Sequence, residues 1–226
     1  MLQGMSGALI PAATVVLARD GGGGMEVLMV RRDSRLAFAG GMWVFPGGRI
    51  DPEDFSEDPD DLDAAQARAA AREAGEEAGL AVDPATLRRW SHWTPPDHGQ
   101  SHRFSTAFFV GPAPVGDVVI DDGEIRDHRW VEPAVALELH RDRTIELAPP
   151  TFITLVQLTA AASVADLLEL AGRDVEHFTT RIAGDGDDLV ALYHGDAGYE
   201  SGEVAAEGPR HRLVMGPSAW TYLRDP

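Results

Sequence analysis

The hydrophobic and polar positions along the chain divide it into short β-rich runs, one long alanine-rich helix and, beyond residue 148, a second mixed set of elements. Residues 12–19 and 25–31 are runs of Val, Leu and Met joined by Asp20-Gly21-Gly22-Gly23-Gly24, the composition of a hairpin turn. Four glycines also suggest a phosphate loop, but such a loop opens a helix and here a strand follows. After Gly40-Gly41 comes the short apolar run Trp43-Val44-Phe45, which Pro46 ends before Gly47-Gly48. Residues 51–63 are acidic, contain Pro52 and Pro59, and read as an exposed loop. Residues 62–78 are Ala, Gln, Arg and Glu almost throughout and favour a helix, which Gly79 stops. Strands follow at 88–93, 103–111 and 125–131, then a short helix at 133–140 beginning near Glu132. Past Ala148-Pro149-Pro150, helices are expected at 151–162 and 164–171 around Ser163, and strands at 189–194, 211–215 and 220–223. The organisation expected is a main domain over 8–147 with a C-terminal helical and hairpin extension, 148–226, packed on it. There is no internal repeat or low-complexity tract.

Composition changes this picture in two ways. The 226 residues carry a net charge of −18, which argues against a nucleic-acid backbone or an anionic membrane as a general partner and leaves room for a small anion held through metal ions. Cysteine is absent, so disulfides, thiolate nucleophiles and Cys-based metal sites are excluded. All 19 basic residues are arginine, which we read as codon bias. No stretch has the length of a membrane span or the basic start of a signal peptide, and a cytoplasmic protein is the expectation.

The candidate chemistry lies in Arg72-Glu73-Ala74-Gly75-Glu76-Glu77-Ala78-Gly79-Leu80. Glu73, Glu76 and Glu77 stand at i, i+3 and i+4 and project from one helix face within an arc of about 100°. Three crowded carboxylates repel unless a cation sits among them, and hard divalent ions prefer oxygen ligands.

Together with Phe45-Pro46-Gly47-Gly48, this segment resembles the Nudix box, G-x5-E-x7-R-E-U-x-E-E-x-G-U, where U is a bulky aliphatic. Ala74 is small for U. Counting back from Arg72 puts Ala64 where the first Glu belongs, and counting forward from Gly48 puts Asp54 there, so the loop is ten residues longer than the pattern. Asp54, Glu53, Asp51 or no residue takes that acid's role. Val27-Leu28-Met29-Val30-Arg31-Arg32, Gly41-Met42-Trp43 leading into the box, Trp93-Thr94-Pro95 and Ala148-Pro149-Pro150-Thr151-Phe152 look like the branch containing the peroxisomal coenzyme A diphosphatases, which also has an expanded box. A second coenzyme-A-associated signature is partly met: Gly41 fits, whereas Ala37 stands where an arginine belongs.

The resemblance implies an α/β fold, an α/β/α sandwich around a mixed sheet, and a hydrolase (pyrophosphatase) acting on a diphosphate with Mg²⁺ or Mn²⁺. It implies Glu73, Glu76 and Glu77 as metal ligands, with Arg72 orienting the carboxylates through an i,i+4 pair. For the general base it leaves a box glutamate such as Glu76 or a loop acid, here Glu124, whose bland alternative is a solvated turn acid. Arg32, Gly47, Gly48 and Arg103 are the candidate substrate contacts, although such arginines often only end strands. His92, His98 and His102 have no strong zinc spacing. Trp43, Trp93 and Phe104 could stack on a base, with core packing the stronger reading for Phe104. The implied substrate is a nucleoside diphosphate derivative, coenzyme A or acyl-coenzyme A first, with NADH or ADP-ribose as the alternative. A catalytically silent Nudix-fold nucleotide-binding module is the non-enzymatic alternative. Nucleic acid and membrane are not expected partners, and a homodimer is an open option, since many of the family dimerise.

Overall fold

The computed structural model describes residues 8–36, 39–55, 61–97, 103–120, 123–184 and 189–225. The first two strands, β1 (Leu9–Asp20) and β2 (Met25–Arg32), form the expected antiparallel hairpin, closed where the Gly21 N–H donates to the Gly24 carbonyl. They pair with each other only near the turn, from Ala18↔Val27 to Asp20↔Met25. Farther on, β1 pairs with β4 (Gly47–Arg49) and β2 with β3 (Trp43–Val44). The Pro46-Gly47-Gly48 stretch therefore lies within the sheet. Gly47 must be glycine, since a Cβ there would stand 2.5 Å from the Ala13 carbonyl oxygen, while a Cβ on Gly48 would press on the carboxylate end of Glu73.

The large mixed sheet runs β3-β2-β1-β6-β5-β8, with β4 on β1 and β7 on β2. Its further strands are β5 (Arg88–Thr94), β6 (Arg103–Pro112), β7 (Ile125–Val131) and β8 (Glu176–Thr179); β1/β6 and β5/β8 are parallel. Helix α1 (Leu62–Ala78) covers one face through Ala70, Ala74, Ala78 and their neighbours, packed with Val15, Leu17 and Leu28. Alanines bury little area each but let the helix lie close to the strands. Asp61 caps α1 by accepting from the Ala64 N–H at 3.0 Å, and Gly79 ends it at φ 68°.

The other face is covered by α2 (Pro133–Arg141), α3 (Pro149–Leu158) and α4 (Val164–Leu170). Ala136, Phe152, Ile153, Leu155 and Leu167 join Val16, Met29, Phe45 and Trp93 in one core. The α/β/α layering is as expected. Helix α3 starts two residues before the expected 151 and stops four before 162, because Pro149 and Pro150 supply the fixed φ of a first helical turn. Ser163 caps α4 by accepting from the Asp166 N–H.

A second, antiparallel sheet, β12-β11-β10-β9, comprises β9 (Arg181–Ala183), β10 (Leu189–Leu192), β11 (His211–Met215) and β12 (Trp220–Arg224). Strands β8 and β9 have no counterpart among the sequence expectations. Each buries a single residue, Phe178 or Ala183, so no apolar run announces it. Among the described residues no helix is long and apolar enough to cross a membrane.

Candidate active site

Helix α1 presents its acids to the β3–β4 stretch. Glu77 is 6% exposed; one carboxylate oxygen accepts from the Gly47 N–H at 3.0 Å and the other faces the Arg32 guanidinium at 3.4 Å. Burial pushes its pKa up to about 8; the Gly47 N–H and Arg32 oppose the rise, and Glu73 and Glu124 add to it. Burial also raises the pKa of Glu73, against the pull of Arg72. Glu76, 59% exposed at its side chain, is the solvent-facing member.

Arg72 organises this face. One terminal nitrogen donates to Glu73 at 2.9 Å and to Glu76 at 3.1 Å, the expected i,i+4 pair. Its other nitrogens form a fork on Asp54, at 3.1 and 2.9 Å, and reach the Arg49 carbonyl. Of the acids open for the first position of the box, Asp54 makes this two-point contact, while Asp51 stands 3.7 Å away. Asp54 is 4% exposed at the end of a 3₁₀ turn, Pro52–Asp54, where its carboxylate also accepts from the Asp51 N–H. Ala64 lies in the first turn of α1. The lengthened loop thus returns an acid to the arginine from the glycine side of the count.

Arg32 and Glu124 complete the cluster. A register shift between Arg31 and Arg32 in the β2–β7 pairing puts Arg32 opposite Ile125, and its guanidinium donates to Glu124 at 2.9 Å while reaching Glu77. The Asp33 N–H donates to the Glu124 carbonyl at 2.7 Å, and the Asp33 carboxylate pairs with Arg35 and Arg126. Those hydrogen bonds, Arg35 foremost, hold Asp33 well below the usual carboxylate range. Sequence reasoning missed Asp33, whose role depends on a strand pairing that no local signal announces.

Arg103 stands apart from these residues. It is 5% exposed, and its guanidinium donates to the Pro95 and Pro96 carbonyls and to Asp97. It also lies four residues along β6 from Ala107, which is level with Ala13 and Gly48, about 13 Å away along the strand. The structure thus places Arg103 against the 95–97 loop and not within the carboxylate cluster. Trp43 and Trp93 are buried in the core, so neither offers a face for stacking, and Phe104 is half-buried. His92 contacts Ser105 at 2.7 Å and stacks on His177. His98, His102, Ala37, Asp121, Asp122 and residues 56–60 of the acidic loop lie outside the described residues.

Comparison with known proteins bears directly on this arrangement. The family model for the NUDIX domain matches residues 8–149, well over half of the chain. The chain belongs to the Nudix family. Among curated proteins it is similar to acyl-coenzyme A diphosphatase NUDT19 of Homo sapiens, 34% identical over 122 residues, covering 50% of this chain and 32% of the relative. The protein of the same name from Xenopus laevis is 35% identical over 85 residues, covering 36% and 22%. The chain thus matches about a third or less of these relatives' length. Among solved structures, a NUDIX hydrolase from Alicyclobacillus acidocaldarius aligns with TM-score 0.65 at 24% identity, over 73% of this chain and 97% of that one. The NUDIX domain of Shewanella oneidensis NrtR, solved with ADP-ribose, aligns with TM-score 0.52 at 18% identity, over 68% and 88%. Both show the shared fold.

Nudix hydrolases generally use divalent metals such as Mg²⁺ or Mn²⁺. Among the described residues no three acids or imidazoles already converge as a coordinating group. Arg72 draws Glu73 and Glu76 to one side, while Arg32 and Gly47 hold Glu77 on the other. The Nudix-box side chains nevertheless suit such an ion. They are hard oxygen donors, Glu77 is buried with other acids opposing its charge, and the backbone approaches so closely that a Cβ at Gly48 would collide with Glu73. The Arg32 Nε is buried and has no hydrogen-bond partner, leaving a donor beside Glu77 for an anionic oxygen.

Proposed function

We propose that this Nudix protein is a divalent-metal-dependent hydrolase of the diphosphate linkage in nucleoside diphosphate derivatives, with coenzyme A or an acyl-coenzyme A as substrate. The observation that carries the reading is the set Glu73, Glu76 and Glu77 on α1, facing Gly47 and Gly48 with Glu77 buried. Family membership supports hydrolysis of a diphosphate, and the two curated relatives carry the name acyl-coenzyme A diphosphatase.

In this reading Glu73, Glu76 and Glu77 hold Mg²⁺ or Mn²⁺, which supplies polarisation of the phosphoryl oxygens and a water of lowered pKa. Gly47 and Gly48 let the diphosphate approach the backbone. Arg32 sets a cation beside Glu77 and offers its Nε to a phosphate oxygen. Arg72 fixes the directions of Glu73 and Glu76 and is itself fixed by Asp54. Glu76 and Glu124, two solvent-reaching acids, are the candidates for accepting the proton of the attacking water, and the Arg32 guanidinium draws Glu124 to the cluster. Water adds to one phosphorus and the bridging P–O bond breaks, so coenzyme A gives 4′-phosphopantetheine and adenosine 3′,5′-bisphosphate.

The test is hydrolysis of coenzyme A, octanoyl-coenzyme A, NADH and ADP-ribose with Mg²⁺, with Mn²⁺ and with chelator. Coenzyme A thioesters should be the preferred substrates, metal should be required, and Glu77→Gln should lower turnover by more than about 10³-fold in a folded protein. Turnover indifferent to chelator, or a wild-type rate in Glu77→Gln, would overturn the assignment. Preference for NADH or ADP-ribose would replace the substrate. Tight nucleotide binding without turnover would make the chain a silent module.

A further inference from the structure

A cleft of about 450 Å³ opens between the 145–149 segment and the β11–β12 turn, where Met215 and Trp220, from beyond the family match, close over residues inside it. Its walls are Met42, Ile145, Leu147, Met215 and Trp220. Its size and its largely apolar lining are those of a small-molecule site. Nothing in the diphosphate chemistry uses it. We propose that this cleft binds the thioester-linked acyl chain of the substrate, an inference that rests on the acyl-coenzyme A reading above.

Three observations carry it. The first is position. The Arg32 N–H donates to the Met42 carbonyl at 3.1 Å, and the Arg32 guanidinium reaches Glu77. The Trp43 N–H donates to the Glu146 carbonyl at 2.8 Å, fastening the opposite wall to the same strand. One arginine side chain and a hydrogen bond therefore separate the cleft wall from the metal-binding acids. A substrate with its diphosphate at those acids has a long arm to place, and the cleft is within that neighbourhood.

The second is chemistry. Two methionines give a wall that adapts to flexible chains of differing length. Trp220 is braced edge-on by His140 at 4.7 Å and Phe152 at 5.4 Å between ring centroids, which makes it a rigid apolar surface. Arg143 and Glu146 are exposed and His140 half-buried, so polar groups stand at the mouth, where the amides of a pantetheine arm can meet them.

The third is a fixed rim. Arg143 adopts φ 57°, a conformation that side-chain-bearing residues rarely take. Its N–H donates to the His140 carbonyl and its guanidinium to the Pro217 carbonyl, tying the end of α2 to the β11–β12 turn.

S-octanoyl-pantetheine, which lacks the diphosphate, is the probe. Calorimetric titration should show it binding to the wild-type chain and binding at least about tenfold more weakly to Met215→Glu and to Trp220→Ala, with circular dichroism checking the fold. In the same variants the ratio of kcat/KM for octanoyl-coenzyme A over coenzyme A should fall by a similar factor, while coenzyme A turnover is kept. If Met215→Glu does not fold, Trp220→Ala decides. Absence of wild-type binding, or wild-type binding in folded variants, overturns the cleft assignment. Binding that the variants weaken, in a chain that hydrolyses no coenzyme A, supports the cleft and removes the diphosphatase reading. Coenzyme A hydrolysis with unaltered chain preference in the variants removes the cleft alone.

Discussion

Glu77 is where the electrostatics of the site can be measured without substrate. In the folded, metal-free chain its carboxyl keeps its proton up to about pH 8, whereas an unfolded chain releases it near 4.5. Between those values the native state binds more protons than the unfolded state, so this group makes stability fall as pH rises. Burial lowers the pKa of His92, His140 and His211, which makes stability rise with pH through an overlapping window. The quantity to measure is therefore a difference. Urea unfolding with chelator at pH 5.5 and pH 8.5 should show Glu77→Gln gaining on wild type at the higher pH. A constant gap between the two chains across that range would show that burial does not raise this carboxyl. Read along the sequence, Glu77 is one of three equivalent-looking acids. Its distinction comes from Gly47 and Arg32, residues 30 and 45 positions away.

Helix α1 was legible almost to the residue, because propensity and the Gly79 stop agree, and the Asp61 cap found in the structure fixes its start. Its glycines give opposite predictions. A Cβ on Gly75 would meet nothing nearer than the Leu80 carbonyl at 3.9 Å, so Gly75→Ala relieves a mid-helix glycine and should raise stability. Gly79 sits at φ 68°, and a Cβ there would stand 3.0 Å from the Val119 carbonyl oxygen, so Gly79→Ala should lower it. Each change is about 1 kcal/mol, or about 2–4 °C in Tm for a chain of this size. Differential scanning calorimetry of the two variants should bracket wild type, and a shift of both in one direction would mean that α1 does not end where described. Elements without such local agreement were less legible. Strand β8 carries one apolar residue and three polar ones, and its parallel pairing with β5 exists only once both are in place.

At the scale of the molecule, the stretch after residue 148 adds β8 to the large sheet and shares its core. Phe178 stacks on Trp93 at 3.9 Å between centroids, with 2° between ring planes, and meets Tyr193 edge-on. Phe178→Ala should cost about 3–5 kcal/mol of stability, and denaturant curves followed by near-ultraviolet and far-ultraviolet signals should move together. A separate, early transition would mean that the two sheets unfold independently. Within the smaller sheet, Asp196 is buried against Arg212 at 2.6 Å. Burial alone would raise its pKa, and the guanidinium with two backbone N–H groups holds it at about 2. The sequence by itself determined the chemistry: carboxylates at helical spacing, a glycine pair before them and the strand–loop–helix order, because these depend on neighbours within a turn or two. Tertiary structure alone decided that Asp54 meets Arg72, that Arg32 joins Glu77 to Glu124, that Arg103 serves a loop, and that an apolar cleft lies beside Met42. Each of those pairs residues whose separation along the chain says nothing of their distance in space, and only the packing of sheet on helix sets that distance.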